Sequence, residues 1–175
     1  YGDHEDLHRV GRGQRQMCIR DSLGTMGFAL PAAIGAKYGA PEREVIAIIG
    51  DGGIQMTIQE LGTIMQFKPN VKIIILNNNF LGMVRQWQEL FHENRYSFVA
   101  ITSPDYVQVA KGYYIPAASV SQRQDLIPAL TTMLMNEGAY LLEVMVGKEN
   151  NVFPMVPQGK GVSEVVLCKE DLQIK

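Results

Sequence analysis

Two apolar runs, each ending in a polar turn, constrain the fold of this chain more than any other feature. Residues 45–49 lead into a Gly-Asp-Gly-Gly turn that contains Asp51, and residues 71–76 lead into an Asn-Asn turn that contains Asn78. One helix-length segment with apolar residues at helical spacing separates the runs, so the pattern predicts a strand–helix–strand crossover. Because such a crossover sets two parallel strands side by side, we expect Asp51 and Asn78 at the same edge of a sheet.

The residue types at this edge indicate a magnesium-bridged diphosphate site. Asp51 offers a carboxylate and Asn78 an amide oxygen, which are hard donors of the kind that magnesium prefers. Open α/β sheets bind ligands at this edge. Gly52 and Gly53 let the backbone approach closely, and their amides at the start of the next helix can donate to phosphate. The alternative is that the glycine and asparagine turns only close two ordinary strands.

The composition argues against several other classes of function. A chain of 175 residues, 46% of them hydrophobic, can build one domain with a substantial core, and a net charge of −2 gives no basic footprint for nucleic acid. The sequence has no apolar run long enough to span a membrane and no secretion signal, and its two cysteines lie far apart. We therefore predict a cytoplasmic protein without a nucleic-acid or membrane partner.

The rest of the chain alternates helices with strands. Ser103 and Pro104 predict the start of a short helix, as its N-cap and its first residue. The alternation predicts an α/β fold with a doubly wound, mostly parallel sheet and helices on both faces. The further predicted helices are residues 25–38, 81–91, 103–110 and 123–136, and the further predicted strands are residues 113–120 and 139–146.

These motifs resemble a known family. The Gly-Asp-Gly and Asn-Asn pair is similar to the signature of thiamin-diphosphate enzymes. The stretch from Leu81 to Gln88 favours acetolactate synthase over related oxidases and decarboxylases. The resemblance covers residues 23–167, which match the C-terminal thiamin-diphosphate-binding domain, and residues 168–175 form a tail. The stretches that resemble the acetolactate synthase (acetohydroxyacid synthase) large subunit are residues 23–28, 80–88 and 153–157.

The resemblance implies a role for each matching residue. Magnesium would bind Asp51, Asn78 and the main-chain carbonyl of Phe80. Met26 would support the cofactor from beneath and Trp87 would lie near the reacting carbon, which makes these two the implied catalytic residues. The implied cofactor contacts are Gly24, Met26, Gly50, Asp51, Gly52, Gly53, Met56, Asn78, Phe80, Leu81, Gly82 and Met83, and the implied substrate pocket is Met83, Val84 and Trp87.

The implied reaction depends on thiamin diphosphate and Mg²⁺. It decarboxylates pyruvate and condenses the remaining two-carbon unit with a second 2-keto acid, giving 2-acetolactate or 2-aceto-2-hydroxybutyrate for branched-chain amino acid biosynthesis. The resemblance also implies FAD bound mainly outside this chain, a homodimer or homotetramer of the full-length subunit and a small regulatory subunit. Since a glutamate that activates the cofactor belongs to another domain of the family, we expect this chain alone to be inactive and to bind thiamin diphosphate weakly if at all.

Two alternatives remain open at this point. The chain could belong to another thiamin-diphosphate enzyme, such as pyruvate oxidase, glyoxylate carboligase or a 2-keto-acid decarboxylase. It could also be a non-catalytic α/β module that binds a nucleotide or a protein. Analysis of the products distinguishes acetolactate synthase from the other thiamin-diphosphate enzymes. Ligand selectivity distinguishes a thiamin-diphosphate domain from a non-catalytic module.

The first 22 residues stand apart from the rest of the sequence. They are polar and rich in arginine, and residues 16–22 resemble the translation of a sequencing-library adapter. Our hypothesis is that residues 1–22 are a cloning or assembly artefact. The alternative is a natural disordered extension, and resequencing across the junction of Ser22 and Leu23 distinguishes the two.

Overall fold

A computed structural model describes residues 25–157, 159–161 and 163–172 of the chain. The described residues form two compact units, the first from residues 25–77 and 103–146, the second from residues 78–102 and those after 146. The hypothesis about residues 1–22 and the predicted contact at Gly24 lie outside the described residues. The domain boundaries predicted from the sequence stay a prediction.

The first unit is built on a four-stranded parallel sheet with the strand order β1-β2-β4-β3. The strands are β1 (Val45–Gly50), β2 (Val71–Asn77), β3 (Ala117–Val120) and β4 (Tyr140–Met145). The α-helices among the described residues are α1 (Ala29–Gly39), α2 (Asp51–Gln55), α3 (Leu61–Phe67), α4 (Gly82–Phe91), α5 (Tyr106–Gly112) and α6 (Arg123–Met135), of which α4 belongs to the second unit. No helix in the described part of the chain is long and apolar enough to cross a membrane.

Apolar side chains from helices pack on both faces of this sheet. One core cluster joins α1, α3 and α5 to the sheet through residues such as Leu30, Leu61 and Ala110. A second cluster joins α6 to β3 and β4. Strand β4 serves both clusters because its side chains alternate, with Leu141 in the first and Leu142 in the second. The predicted fold class, a parallel α/β sheet with helices on both faces, is confirmed.

Strand β1 is buried on one face, although its continuous apolar run is typical of a strand that is buried on both. It is an edge strand of the sheet, paired with β2. Ile46 points to the opposite face from Ala47 and Ile49 and is 44% exposed, since the second core cluster does not reach β1, whereas Ala47 and Ile49 are buried in the first cluster. An apolar run of five residues fixed the position of the strand, but it did not distinguish an edge strand from a central one.

The helix predicted to start at Ser103 starts later. Asp105 is the N-cap of α5, and its Oδ1 accepts a hydrogen bond of 2.9 Å from the backbone amide of Gln108. The prediction that Ser103 caps this helix and that Pro104 is its first residue is wrong, because Asp105, an equally good capping residue, takes that role two residues later. The Ser103 hydroxyl makes a different contact, with Asp51.

The strand predicted from residue 113 begins only at Ala117. The backbone amides of Tyr114 and Ile115 instead close the last turn of α5, donating to Lys111 and Ala110 over 2.9 Å each. This turn puts Tyr114 at a φ of +58°, in the left-handed region, where a side chain is costly. Its side chain is 86% exposed, so packing compensates little for that cost.

Replacing Tyr114 with glycine is expected to stabilise the fold. Glycine adopts a positive φ without steric cost, so the free energy of unfolding should rise by about 0.5–1 kcal/mol after the entropy cost of glycine is subtracted. Urea unfolding measures the change. Tyr114→Ala is the control, because it removes the ring but keeps the Cβ atom. An equal gain from alanine would show that the exposed ring, and not the backbone, is the source.

Candidate functional site

Asp51 and Asn77 follow paired residues at the carboxyl ends of neighbouring strands. Gly50 of β1 is in register with Leu76 of β2, and the next residues along the two strands are Asp51 and Asn77. Asn78, which follows Asn77 in the chain, opens the second unit. Within the first unit, the predicted placement of Asp51 at the carboxyl edge of the parallel sheet is confirmed.

Asp51 is held by a set of hydrogen bonds that sequence reasoning missed. Its side chain and backbone are only 2% exposed. Ser103 Oγ donates to its carboxylate Oδ2 over 3.1 Å, and Tyr106 Oη donates to its main-chain carbonyl over 2.8 Å. Gln55 Nε2 lies 3.3 Å from both the same carbonyl and the Tyr106 oxygen. The carboxylate and the carbonyl of one residue are therefore both fixed.

A second buried polar pair lies at the same edge. Asn77 Nδ2 donates to Glu143 Oε1 of β4 over 2.7 Å, and both residues are buried. The Asn77 carbonyl also accepts a hydrogen bond from the Val146 amide at 2.9 Å. Asn77 is thus fastened to β4 through its side chain and its main chain, which anchors the point from which the chain leaves β2.

The glycines after β1 allow a close turn from strand to helix. Gly50 is the N-cap of α2, and Asp51 and Gly52 are buried in its first turn. A Cβ atom on Gly53 would lie 3.2 Å from the Cγ1 atom of Ile49, which is closer than a side chain tolerates without a shift. Glycine at position 53 therefore permits the packing of α2 on β1 as well as any approach of a ligand.

Met26 and Met56 belong to two segments that lie side by side in the first unit. The predicted single helix between β1 and β2 is broken after α2, and the break brings Met56 and Thr57 against Gly27. Thr57 Oγ1 donates to the Gly27 carbonyl over 2.8 Å, and a Cβ atom on Gly27 would lie 2.8 Å from the Met56 Cβ atom. Both methionine side chains are about half exposed, 45% for Met26 and 56% for Met56. They are available for contact with a ligand.

The second unit holds Asn78 and Phe80 in a tight loop. Asn78 Oδ1 accepts a hydrogen bond from the Phe80 amide at 3.0 Å. The Leu81 amide donates to the Val99 carbonyl over 2.8 Å, so a short antiparallel bridge supports the loop. A Cβ atom on Gly82 would lie 3.4 Å from Asn78 Nδ2. A small side chain at position 82 would therefore be in van der Waals contact with the Asn78 amide.

Met83 and Val84 lie on the first turn of α4, and Trp87 lies on the next turn. Met83 and Val84 are exposed, and Trp87 is half-buried with its ring centroid 4.8 Å from that of Phe91. Their spacing of three and four residues places them on one side of the helix. Within the second unit, this exposed surface is compatible with the predicted pocket wall.

Other residues of α4 hold the C-terminal segment. Gln86 bonds the backbone of Val152 twice, accepting from its amide at 2.7 Å and donating to its carbonyl at 3.0 Å. Glu89 accepts from Asn151 and Lys169, each at 3.0 Å. Although burial alone would raise the pKa of Glu89, these hydrogen bonds outweigh it and lower that pKa below its ordinary value. Glu89 therefore stays charged at neutral pH and anchors the segment.

Two further features do not contribute to the predicted site. In the described ranges, no group of three or more histidine, cysteine, aspartate or glutamate side chains is placed to hold a metal ion. A metal site here would therefore depend on amide and carbonyl oxygens beside a carboxylate.

A cavity of 460 Å³ in the first unit is lined by residues such as Ile64, Lys68, Tyr113 and Asn136, and it includes none of the predicted site residues.

Comparisons with known proteins identify the kind of domain. The family described as "Thiamine pyrophosphate enzyme, C-terminal TPP binding domain" matches residues 2–144. A solved structure of the Rhodococcus jostii RHA1 thiamine diphosphate-dependent 4-hydroxybenzoylformate decarboxylase is similar, with a TM-score of 0.67 and 34% sequence identity. The similar region covers 71% of this chain and 24% of the decarboxylase chain.

Curated relatives are similar over most of the chain. The acetolactate synthase isozyme 2 large subunit of Escherichia coli (strain K12) is 44% identical over 145 residues, which is 82% of this chain and 26% of that protein. The mitochondrial acetolactate synthase of Schizosaccharomyces pombe is 47% identical over 145 residues, which is 83% of this chain and 22% of that protein. The chain thus spans about a quarter of the length of the curated relatives it matches.

Proposed function

Because the chain belongs to the family of thiamine pyrophosphate enzymes that share a C-terminal TPP-binding domain, we propose that it supplies the magnesium- and diphosphate-binding part of an acetolactate synthase large subunit. The proposed reaction of the whole protein is the decarboxylation of pyruvate and the condensation of the two-carbon unit with a second 2-keto acid. The observation that carries the proposal is the 44–47% identity to relatives named acetolactate synthase.

The first unit would hold the diphosphate end of the cofactor. Asp51 would be the anionic ligand of Mg²⁺, and its fixed position at the carboxyl edge supports this role. The amides of Gly52 and Gly53 would donate to phosphate oxygens. Met26 and Met56 would contact the organic part of the cofactor, which their exposure and proximity through Gly27 support.

The remaining predicted site residues belong to the second unit. Asn78 would bind Mg²⁺ through its amide oxygen and Phe80 through its main-chain carbonyl, with Leu81 and Gly82 close to the cofactor. Met83, Val84 and Trp87 would form the wall of the substrate pocket. When bound, thiamin diphosphate supplies the carbanion chemistry that cleaves and forms carbon–carbon bonds, while these residues bind, orient and exclude water.

The proposal includes parts outside this chain. The full-length subunit would be a homodimer or homotetramer, would carry FAD mainly on another domain, and would associate with a small regulatory subunit. We therefore expect the 175-residue chain alone to show no acetolactate formation. Acetolactate produced by the purified chain would contradict this division of labour.

Ligand selectivity tests the proposal on the chain itself. We expect thiamin diphosphate with Mg²⁺ to shift the backbone amide signals of Gly52 and Gly53 in an NMR titration, with weak, millimolar affinity. Chelation of Mg²⁺ by EDTA should abolish the shifts, and Mg²⁺ with ATP should produce none at equal concentration. A response to ATP and not to thiamin diphosphate would favour the non-catalytic nucleotide-binding module instead.

Product analysis tests the reaction on the whole protein. With pyruvate as the only substrate, an acetolactate synthase releases acetolactate, whereas a 2-keto-acid decarboxylase releases the aldehyde and a pyruvate oxidase consumes an electron acceptor. We expect acetolactate as the main product. Acetaldehyde as the main product would assign the chain to the decarboxylases.

A further inference from the structure

We propose that Ser103 and Tyr106 are positioning residues that hold Asp51 ready for its cation. This inference rests on the proposed function, in which Asp51 is the anionic ligand of Mg²⁺. Both residues lie outside the predicted motifs. The inference is that their hydroxyl groups also determine how tightly the cation binds.

The two hydroxyls hold opposite ends of the same residue. Ser103 Oγ donates to the carboxylate of Asp51 at 3.1 Å, and Tyr106 Oη donates to its main-chain carbonyl at 2.8 Å. The Ser103 contact constrains the rotation of the side chain, and the Tyr106 contact fixes the backbone from which the side chain extends. Because both residues lie within one short segment before and at the start of α5, movement of that segment would affect both contacts together.

Neither hydroxyl is accounted for by local structure. A serine followed by Pro104 would ordinarily cap the next helix, but Asp105 caps α5, which leaves the Ser103 hydroxyl to bond Asp51. The ring of Tyr106 belongs to the first core cluster, and phenylalanine would fill the same space. The Tyr106 hydroxyl is the additional feature, and it is directed at the Asp51 carbonyl.

The Tyr106 hydroxyl remains a donor throughout the neutral pH range. Since an unperturbed tyrosine titrates only near pH 10, the phenol keeps its proton and can donate to the carbonyl at any physiological pH. Tyr106 is completely buried, so water does not replace this donor.

Holding a ligand in place before the cation arrives increases affinity. A carboxylate that already occupies one orientation loses less conformational freedom on binding, so less of the interaction free energy is spent on ordering it. Loss of a group that orients a metal ligand generally lowers metal affinity by about 10–100-fold. We expect Ser103 and Tyr106 to contribute in the lower part of that range.

The test is a pair of NMR titrations on the 175-residue chain. One titration varies Mg²⁺ at fixed excess thiamin diphosphate, and the other varies thiamin diphosphate at saturating Mg²⁺, both followed at Gly52 and Gly53. Tyr106→Phe and Ser103→Ala should each lower the apparent affinity for Mg²⁺ by about tenfold. The apparent affinity for thiamin diphosphate at saturating Mg²⁺ should change less than about twofold. A general loss of structure would instead lower both affinities.

Matched variants separate positioning from packing. Ser103→Thr keeps the hydroxyl that orients Asp51. Its affinity for Mg²⁺ should therefore stay within about twofold of that of the parent chain. Tyr140→Phe removes the hydroxyl of another buried tyrosine, one in the second core cluster, and should leave both titrations unchanged.

The outcomes distinguish this inference from the proposed function. If the parent chain responds and both Tyr106→Phe and Ser103→Ala bind Mg²⁺ as it does, the positioning role is wrong and the cofactor site stands. Equal weakening in both titrations, without rescue by Ser103→Thr, would also overturn it in favour of a structural role. If neither the parent chain nor the full-length subunit responds, the proposed cofactor site is at fault.

Discussion

An Asp51→Asn chain is expected to lose magnesium-dependent binding of thiamin diphosphate while keeping its fold. Asparagine has the shape of aspartate and still presents an oxygen, but it carries no charge, and a hard dication binds a neutral amide much less tightly. Because removing a group that merely orients a ligand costs about 10–100-fold, loss of the charged ligand itself should exceed about 100-fold. Titration of Mg²⁺ at fixed thiamin diphosphate measures the change.

The substitution is well suited to isolating the charge of Asp51. The Tyr106 hydroxyl bonds the main-chain carbonyl, which the substitution does not touch, and Ser103 can still donate to an amide oxygen. Circular dichroism and the urea midpoint should therefore stay close to those of the parent chain. Asp125→Asn, an exposed carboxylate in the first turn of α6, is the matched control. Parent-like binding by Asp51→Asn would remove Asp51 from the proposed ligand set.

The placement of Asp51 shows what the sequence can predict. Two apolar runs of strand length with a helical segment between them allow few topologies, and the parallel pairing of β1 and β2 follows from the rules for crossovers. The turn residues then reach the carboxyl edge by connectivity alone. The order of the remaining strands does not follow in this way, because it depends on which faces of several elements pack together.

Ser103 shows why the support of the site was missed. Its position before Pro104 and Asp105 fits a local capping pattern, and local patterns compare only near neighbours in the sequence. Its actual partner is Asp51. In the sequence, the two residues are separated by α3, β2 and the segment of the second unit that contains α4. The choice between Ser103 and Asp105 as the cap was therefore decided by tertiary structure.

Lys72 and Glu143 offered a signal that the sequence analysis did not use. Each is a charged residue inside an otherwise apolar strand, and charged side chains are rarely buried without partners. The pattern could have predicted that both find polar partners in the core. It could not have named them, because Asn77 meets Glu143, and Lys72 meets the end of α6, only through the pairing of β2 with β4.

Lys72→Met is expected to cause the largest loss of stability among the variants considered. Lys72 is completely buried in β2, and its ammonium donates to the carbonyls of Asn136 and Gly138 and to Asn70 Oδ1 at 2.5, 2.6 and 2.9 Å. It therefore ties the chain that leaves α6 to the start of two neighbouring strands. Methionine matches the length of the side chain but donates no hydrogen bond.

The expected decrease in the free energy of unfolding is about 2–3 kcal/mol. Hydrogen bonds from a charged donor are worth about 1.5–3 kcal/mol each, and three are lost. Two effects offset part of that sum: the cost of burying an ammonium disappears, and Gly138 keeps a second donor in Asn136 Nδ2 at 2.8 Å. Urea unfolding at pH 7 measures the change, with the exposed Lys111→Met as control. A change below about 0.5 kcal/mol, as is usual for surface substitutions, would contradict this role.

The pH dependence gives an independent check on the same side chain. Burial lowers the pKa of Lys72 below its ordinary value, so the unfolded chain binds a proton more tightly than the native state does. Between the native pKa and the unfolded value of about 10.4, stability should therefore rise with pH in the parent chain, and this contribution should be absent from Lys72→Met. The difference in unfolding free energy between the two chains should widen from pH 7 toward pH 10. A difference that narrows would mean that the hydrogen bonds to the three oxygens outweigh burial and favour the charged form.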